Sequence, residues 1–387
     1  MRRALAFAFA ISVTAGGVAS GGVASAGTRL TLPAPTGPHA VGSTTLHLRD
    51  PGRVDPWRGG PRELMATVHY PAWNVLGYPV GTQLTAAEAE AFRAIYPLIH
   101  PEVPVDVAWQ DVRTHSHVGA PAVPGRRPVL LFSPGAADPR GLSSSWVEEL
   151  ASRGYVVVTI DHPGEPPAVE FPDGSVRGFA LPGDPRVDPA LLHTLIDTRL
   201  ADTRSVLDSV EALAAGGNPD VERRPLPRDL ARALDPTRIG VFGHSGGGTV
   251  AAETLHDDPR VDAAVNLEGY LDWPADQPGG VGDLLPVARD GVDKPLLLVG
   301  TDGYRDARYD RSWAAMLAHG TASKRVLTRA SHWALTDFAV LAPQLQRTGA
   351  MTPAQRVAFI GAVSPVRSVP TVRTWLVTFF DQALRGR

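Results

Sequence analysis

Short apolar runs alternate with longer helical stretches through the middle and second half of the chain. The apolar runs have strand length and cover 128–132, 155–160, 239–243, 263–267, 295–300 and 324–327, and the helical stretches include 143–153, 189–215 and 249–255. A run that is apolar at every position predicts a strand buried on both faces, and alternation with helices predicts a parallel sheet. We therefore predict an α/β fold with a mostly parallel central sheet and helices on both faces.

The region before this alternation is less regular. Residues 63–71 alternate apolar and polar side chains, which predicts an early antiparallel strand, and the shorter alternation at 45–49 predicts an edge strand. We predict a short helix at 86–94 and a long loop at 97–124. His115 and His117 lie in that loop, but two histidines without a third ligand do not indicate a metal site.

The strand at 239–243 leads into Gly243-His244-Ser245-Gly246-Gly247, and a helical stretch follows. A strand, a G-x-S-x-G turn and a helix form a nucleophile elbow, in which glycines relieve the clashes of a very tight turn. Ser245 is therefore the predicted nucleophile. The amide of Gly246, at the helix N-terminus, is placed to stabilise an oxyanion.

A serine nucleophile needs a base and an acid that orients the base. This order of elements is that of an α/β-hydrolase, in which the acid and then the histidine follow the serine along the chain. His332 follows the last predicted strand and is the predicted base, whereas His256 and His319 fall in or beside helices.

Several carboxylates are candidates for the acid. Glu268 follows the strand ending at Leu267, and Asp302 and Asp306 follow the next strand. Position in the fold favours Asp302, with Asp272 as a further neighbour. An acid at a strand end is also a common loop or helix cap, so the residues alone leave this choice open.

The N-terminus has the pattern of a secretory signal peptide. Arg2 and Arg3 precede an apolar stretch at 4–15, and Ala24-Ser25-Ala26 forms a small-residue cleavage site. We predict cleavage after Ala26 and a secreted protein. The arginine pair leaves a twin-arginine route open beside the general one.

Composition narrows the chemistry. The chain has no cysteine, which excludes disulfides, thiolate metal sites and a cysteine nucleophile. Its formal charge is −3, and loss of two arginines with residues 1–26 gives −3 − 2 = −5. This mild acidity argues against nucleic acid as a partner. We predict one domain, 27–387, with loop insertions near 165–189 and 270–291, and no cofactor, metal or obligate protein partner.

Several segments between about residue 63 and residue 345 resemble the plasma and type II platelet-activating-factor acetylhydrolases and their bacterial relatives. The segments are 67–72, 128–135, 150–157, Asp161-His162, 199–213, the elbow, Leu267-Glu268-Gly269, Ser331-His332 and Asp337-Phe338. The resemblance implies a secreted or lipid-associated hydrolase that acts on an ester or lipid substrate, with transient contact with lipid surfaces.

The resemblance also bears on the site. This family carries its acid after the strand that follows the elbow helix, which favours Glu268 over Asp302, although the family tends to have aspartate there. Its second oxyanion donor corresponds to the amide of Ala136, after Pro134-Gly135.

We therefore predict a serine carboxylic-ester hydrolase that works through an acyl-enzyme with Ser245, His332 and Glu268. A serine peptidase or amidase, or a cutinase-like polyester hydrolase, are the alternatives. Because the base must be neutral, activity should fall below about pH 6 to 7.

Overall fold

The computed structural model describes residues 29–275 and 280–386, so the predicted signal peptide at 1–26 lies outside the described residues. The strands are β1 Ala40–Val54, β2 Pro61–Ala72, β3 Val80–Thr82, β4 Arg113–Val118, β5 Arg127–Ser133, β6 Val156–Ile160, β7 Ala168–Glu170, β8 Val176–Gly178, β9 Leu234–His244, β10 Val261–Leu267, β11 Leu296–Thr301 and β12 Ala322–Leu327. The helices are α1 Ala86–Ile99, α2 Ser144–Ser152, α3 Pro189–Ala214, α4 Leu230–Ala233, α5 Gly246–Asp257, α6 Pro286–Asp290, α7 Ala307–Ala318, α8 Phe338–Arg347, α9 Pro353–Ile360 and α10 Pro365–Leu384.

Ten strands form one sheet in the order β12-β11-β10-β9-β5-β6-β2-β1-β4-β3, and β7 and β8 pair separately. The six strands from β12 to β6 are parallel to one another. The next strand, β2, is antiparallel to both β6 and β1. The predicted mostly parallel α/β sheet is therefore confirmed, with its antiparallel part on one side.

Apolar residues fill the space on both faces of the sheet. In β5, Leu130 and Phe132 join one core cluster with residues of α2, α8, α9 and α10. Val129 and Leu131, on the opposite face, join a second cluster with residues of α3, α5, α6 and α7. Every residue of β5 from Pro128 to Ser133 is buried, which explains why such a strand reads as a continuous apolar run, whereas the edge strand β12 is exposed at Ser323 and Arg325.

One predicted loop is in part a strand. β4 lies within residues 97–124, which were predicted to form a loop, so the prediction was wrong for these residues. The strand was missed because its buried positions, Thr114 and Ser116, are polar. The strand lies against a buried acid, since the carboxylate of Glu148 accepts hydrogen bonds from the amide of His115 and the hydroxyl of Ser116. Alternation of hydrophobicity is lost when the inward side chains are polar.

The two predicted insertions carry some regular structure. The first contains the β7–β8 pair, and the second contains an isolated bridge between Asp272 and Leu284 and then α6. Among the helices of the described ranges, none is both long and apolar enough to span a membrane.

Candidate active site

Ser245 lies at the sharp turn between β9 and α5. Its backbone has φ 53° and ψ −122°, a strained conformation for a residue with a side chain. A Cβ atom at Gly243 would overlap the carbonyl of Gly247, and one at Gly247 would overlap the carbonyl of Ser133. Both outer glycines of the motif are therefore needed for the turn that projects Ser245 from the end of the sheet.

His332 and Glu268 form a hydrogen-bonded pair. His332 begins a short 3₁₀ turn, 332–335, in the segment after β12, and Glu268 directly follows β10. His332 Nδ1 lies 2.9 Å from Glu268 Oε2. This pairing directs the other ring nitrogen, Nε2, away from the acid and leaves it free to accept a proton.

Backbone contacts bring this pair to the elbow. The amide of Ser245 donates to the carbonyl of Leu267, 2.8 Å away, which places the serine beside the residue that precedes Glu268. The ring of His244 lies 4.3 Å from the ring of His332, and its Nε2 is 3.2 Å from the His332 carbonyl oxygen. The ends of β9 and β10 thus gather Ser245, Glu268 and His332 at one edge of the sheet.

Burial sets the protonation of the pair. Loss of solvent raises the pKa of the Glu268 carboxyl to about 7, although hydrogen bonds from Thr301 favour its ionised form. Burial also holds the pKa of His332 well below its usual value, and the neighbouring ring of His244 adds to this effect. The imidazole is therefore neutral at neutral pH, as a general base must be.

The backbone amides of Gly246 and Ala136 lie close together. A Cβ atom at Gly246 would lie 3.8 Å from the backbone nitrogen of Ala136, so the two amides predicted to bind an oxyanion are neighbours. Within the described residues, neither amide donates a hydrogen bond to another group of the protein. Both remain available to a ligand.

The other candidate acids have different partners. Asp302 accepts hydrogen bonds from the amides of Arg329 and Ala330, at 2.8 and 3.1 Å, and so fixes the segment that leads to His332. Asp306 caps α7 and accepts from the Tyr270 hydroxyl. Asp272 is paired with Arg308 and Arg311.

The remaining histidines considered from the sequence are also engaged elsewhere. His256 Nδ1 bonds Asp257 and His319 Nε2 bonds the carbonyl of Ala288. His115 Nε2 and His117 Nδ1 contact the carbonyl oxygens of Leu32 and Tyr78.

Sequence reasoning missed two residues of the site. The Thr301 hydroxyl, at the end of β11, donates to Glu268 Oε1 at 2.7 Å, and the amide of Thr301 donates to the same oxygen. The ring of Tyr304 stacks on that of His332, with centroids 4.1 Å apart and planes at 29°. Their position just after a parallel strand was the available signal, since such residues collect at the ligand-binding edge of the sheet.

An apolar cluster adjoins Ala136. Leu195 and Ile196 of α3 and Val250 of α5 are buried together, and half-buried residues pack on them, namely Trp57, Ala136, Leu181, Leu192, Leu200 and Trp273. Leu181 and Trp273 belong to the two predicted insertions. Trp273 also stacks on His193 with ring centroids 3.6 Å apart.

Comparisons with known proteins agree with this architecture. The family model for platelet-activating factor acetylhydrolase, isoform II, matches residues 99–170. A probable 1-alkyl-2-acetylglycerophosphocholine esterase of Arthroderma benhamiae is 26% identical over 380 residues, covering 92% of this chain and 89% of that protein. A platelet-activating factor acetylhydrolase of Gallus gallus is 22% identical over 251 residues, covering 57% and 56% of the two chains.

A solved structure extends the likeness along the chain. The structure of the ferulic acid esterase from Streptomyces cinnamoneus superposes on this chain with a TM-score of 0.68 and a sequence identity of 31%. The matched region covers 93% of this chain and 94% of the esterase. The fold and these relatives define a carboxylic ester hydrolase with the α/β-hydrolase fold. The chain belongs to the same family as this ferulic acid esterase, and it is similar in sequence to the platelet-activating factor acetylhydrolases. The predicted family resemblance is thereby confirmed.

Proposed function

We propose that this esterase uses Ser245 as nucleophile, His332 as general base and Glu268 as the acid that orients His332. The observation that carries the proposal is the 2.9 Å contact between His332 Nδ1 and Glu268 Oε2, directly beside the strained turn that presents Ser245. The amides of Gly246 and Ala136 form the oxyanion hole.

In the first step, His332 Nε2 takes the hydroxyl proton of Ser245 as Oγ attacks the ester carbonyl carbon. The negative oxygen of the tetrahedral intermediate accepts hydrogen bonds from the two amides, each worth about 3 kcal/mol in the transition state. Protonated His332 then gives its proton to the alcohol oxygen, the bond between that oxygen and the carbonyl carbon breaks, and the alcohol departs.

Water completes the cycle by the same route. His332 takes one proton from a water molecule as its oxygen attacks the acyl-enzyme, and then returns a proton to Ser245 Oγ as the acid product leaves. Glu268 stabilises the imidazolium in both steps and holds the tautomer that keeps Nε2 free.

A p-nitrophenyl ester series from acetate to palmitate tests the reaction class, with methyl ferulate and p-nitroanilides as comparison substrates. We expect rapid hydrolysis of short or aromatic acyl esters and slow hydrolysis of anilides. Faster turnover of the anilides would favour the peptidase or amidase alternative.

We assign the acyl-binding wall to the apolar cluster beside Ala136. An acyl chain whose carbonyl oxygen binds Ala136 would extend along the half-buried residues that cover this cluster, among them Leu192, Leu200 and Trp273. Two relatives are named as esterases of an acetylated glycerophosphocholine and of ferulic acid. The acetyl group is small and the feruloyl group is flat, and either kind of acyl group could pack against such a wall.

Trp273→Ala is expected to widen this wall. The ratio of kcat/KM for p-nitrophenyl octanoate over acetate should rise about tenfold, the usual scale for a change of apolar fit. Trp73→Ala is the matched control, because Trp73 is exposed and packs under Arg228. An unchanged ratio in Trp273→Ala would show that the Trp273 ring is not part of the acyl-binding wall.

The pH dependence follows from the buried pair. Activity requires an ionised Glu268 and an unprotonated His332 Nε2, and the pKa of Glu268 is raised to about 7. Below this pH the pair of His332 and Glu268 gains a proton, and His332 can then no longer accept the proton of Ser245. We therefore expect kcat/KM to fall as the pH decreases through about 7. A rate that stays flat down to pH 4 would contradict this assignment.

Thr301→Val tests the same pair from the side of the acid. The variant loses a hydroxyl that favours the ionised form of Glu268. The fall of kcat/KM on the acid side of the pH profile, its acid limb, should therefore move to higher pH, while the rate at alkaline pH changes little. A limb that does not move would mean that another group controls it.

Export after cleavage at Ala26 completes the proposal, with an ester or lipid substrate and transient contact with lipid surfaces. N-terminal sequencing of the secreted protein tests it. A mature chain that still begins at Met1 would refute cleavage.

A further inference from the structure

Arg199, in the middle of α3, is fully buried beneath the loop that carries Ala136. Its Nη1 donates to the carbonyl of Pro134 at 2.5 Å, and its Nη2 donates to the carbonyl of Gly135 at 3.0 Å. Glu165, also buried, accepts from Nε and Nη2 and balances the charge. The buried guanidinium thus donates hydrogen bonds to two consecutive backbone carbonyls and to one carboxylate.

The second of these carbonyls belongs to the peptide whose amide is that of Ala136. In a planar trans peptide, the C=O and N–H groups point in opposite directions. The Gly135 carbonyl is held by Arg199 and also by the amide of Asp138, at 3.1 Å. The N–H of Ala136 must then point away from the Nη2 atom of Arg199, and the Ala136 nitrogen is the atom nearest to a Cβ built on Gly246, at 3.8 Å.

A second buried chain of hydrogen bonds reaches the same loop. Ser133 Oγ is 2.9 Å from His162 Nε2, and His162 Nδ1 is 2.9 Å from Asp202 Oδ2. Asp202 is held by Arg62 at 2.7 Å, and Ser133 Oγ also lies 3.3 Å from Arg199 Nη1.

The proton directions in this chain are determined. Burial would by itself raise the pKa of Asp202, but Arg62 and the His162 hydrogen bond hold it well below its usual range. Burial and Arg199 lower the pKa of His162, which is therefore neutral. His162 donates to Asp202 and accepts from Ser133, which in turn accepts from Arg199.

Ser133, His162 and Asp202 have the connectivity of a catalytic triad but lack access to a substrate. Their side chains are buried, with relative exposures of 4%, 1% and 0%. The chain therefore anchors Ser133, at the start of the loop, while Arg199 fixes the two residues that follow.

We propose that Arg199, with Glu165 as its counter-ion, is a positioning residue for the oxyanion hole. It locks the Gly135–Ala136 peptide in the one orientation that presents the Ala136 amide to the substrate oxygen. This inference rests on the proposed role of Ala136 and adds the group that sets its direction.

Arg199→Lys is the first test, because it keeps the charge beside Glu165 but replaces a planar fork by a point donor that cannot hold both carbonyls. We expect kcat for p-nitrophenyl acetate to fall at least tenfold with KM nearly unchanged. Inhibition by an aryl trifluoromethyl ketone, whose adduct with Ser245 carries an oxyanion, should weaken in parallel with kcat/KM.

Arg199→Gln/Glu165→Gln is the second test, since it removes both charges and leaves neither buried alone. We expect kcat to fall about 100-fold, the typical effect of one lost oxyanion donor. The rate of labelling at saturating fluorophosphonate should fall also, because its transition state uses the same hole.

Arg373→Gln/Glu149→Gln is the matched control. Arg373 is another buried arginine that donates to backbone carbonyls, those of Ser145, Ala34 and Pro33, and it pairs with Glu149 at 3.3 Å. We expect a lowered melting temperature and an unchanged kcat per folded molecule.

The proposal is overturned if either Arg199 variant folds and keeps the wild-type kcat, or if the Arg373 control loses kcat equally. It is also overturned if the loss appears in KM alone. Failure of the proposed function is distinguishable, because it would appear as activity retained by Ser245→Ala in an otherwise wild-type chain.

Discussion

Ser245→Ala is expected to lower kcat for p-nitrophenyl acetate by about 10⁵-fold or more and to abolish labelling by a fluorophosphonate probe. The loss removes the atom that forms the acyl-enzyme, while the oxyanion hole and substrate binding remain. Among the described residues, Ser245 makes its hydrogen bonds through its backbone, which alanine keeps, so the variant should keep the melting temperature of the wild type.

The buried set Ser133, His162 and Asp202 makes this test informative. It has triad connectivity at 2.9 Å for each link, so connectivity alone does not identify the nucleophile. Burial does, since a substrate carbonyl cannot reach Ser133. Ser133→Ala should therefore still be labelled at Ser245 by saturating probe, and labelling that persists in Ser245→Ala would overturn the assignment.

Glu268→Gln is expected to lower kcat by about 10⁴-fold, as loss of the orienting acid does in serine hydrolases. The glutamine amide can donate to His332 Nδ1 and so stabilise the tautomer that carries its proton on Nε2. That tautomer cannot accept the proton of Ser245, and the imidazolium also loses its counter-charge. Steady-state kinetics at alkaline pH measure the effect without interference from titration of the pair.

Asp302→Asn is the matched control for this carboxylate. Asp302 holds the amides of Arg329 and Ala330 in the loop before His332, and the asparagine oxygen can keep one of these bonds. Its kcat should stay within about tenfold of the wild type. An inactive Asp302→Asn beside an active Glu268→Gln would move the acid to the end of β11.

The parallel sheet could be predicted from the sequence because burial of a strand determines which of its residues are apolar. Strands covered on both faces are mostly apolar, and five such strands, β11, β10, β9, β5 and β6, form the parallel part of the sheet together with the half-exposed edge strand β12. The sequence did not predict β4 because its buried residues, Thr114 and Ser116, are polar, and Ser116 donates to the buried acid Glu148.

The elbow was readable for a steric reason. Gly243 and Gly247 occupy positions where any side chain would overlap backbone atoms, so the turn that presents Ser245 is encoded within five residues. The composition also determined that neither disulfides nor a cysteine nucleophile take part.

Which carboxylate faces the base depends on the whole sheet. Leu267 of β10 pairs with Val299 of β11, and this register places Glu268 beside Thr301, whose hydroxyl and amide hold the carboxylate against His332. Asp302, one residue further on, points to the loop at 329–330 instead. The direction of the Ala136 amide likewise depends on Arg199, 63 residues later in α3. Local sequence predicted the parallel strands, the turn and the proposed nucleophile, because close-range sterics and burial act over a few residues. Only the tertiary structure shows how the proposed acid and the proposed oxyanion amides are held, because hydrogen bonds between distant segments set where those groups point.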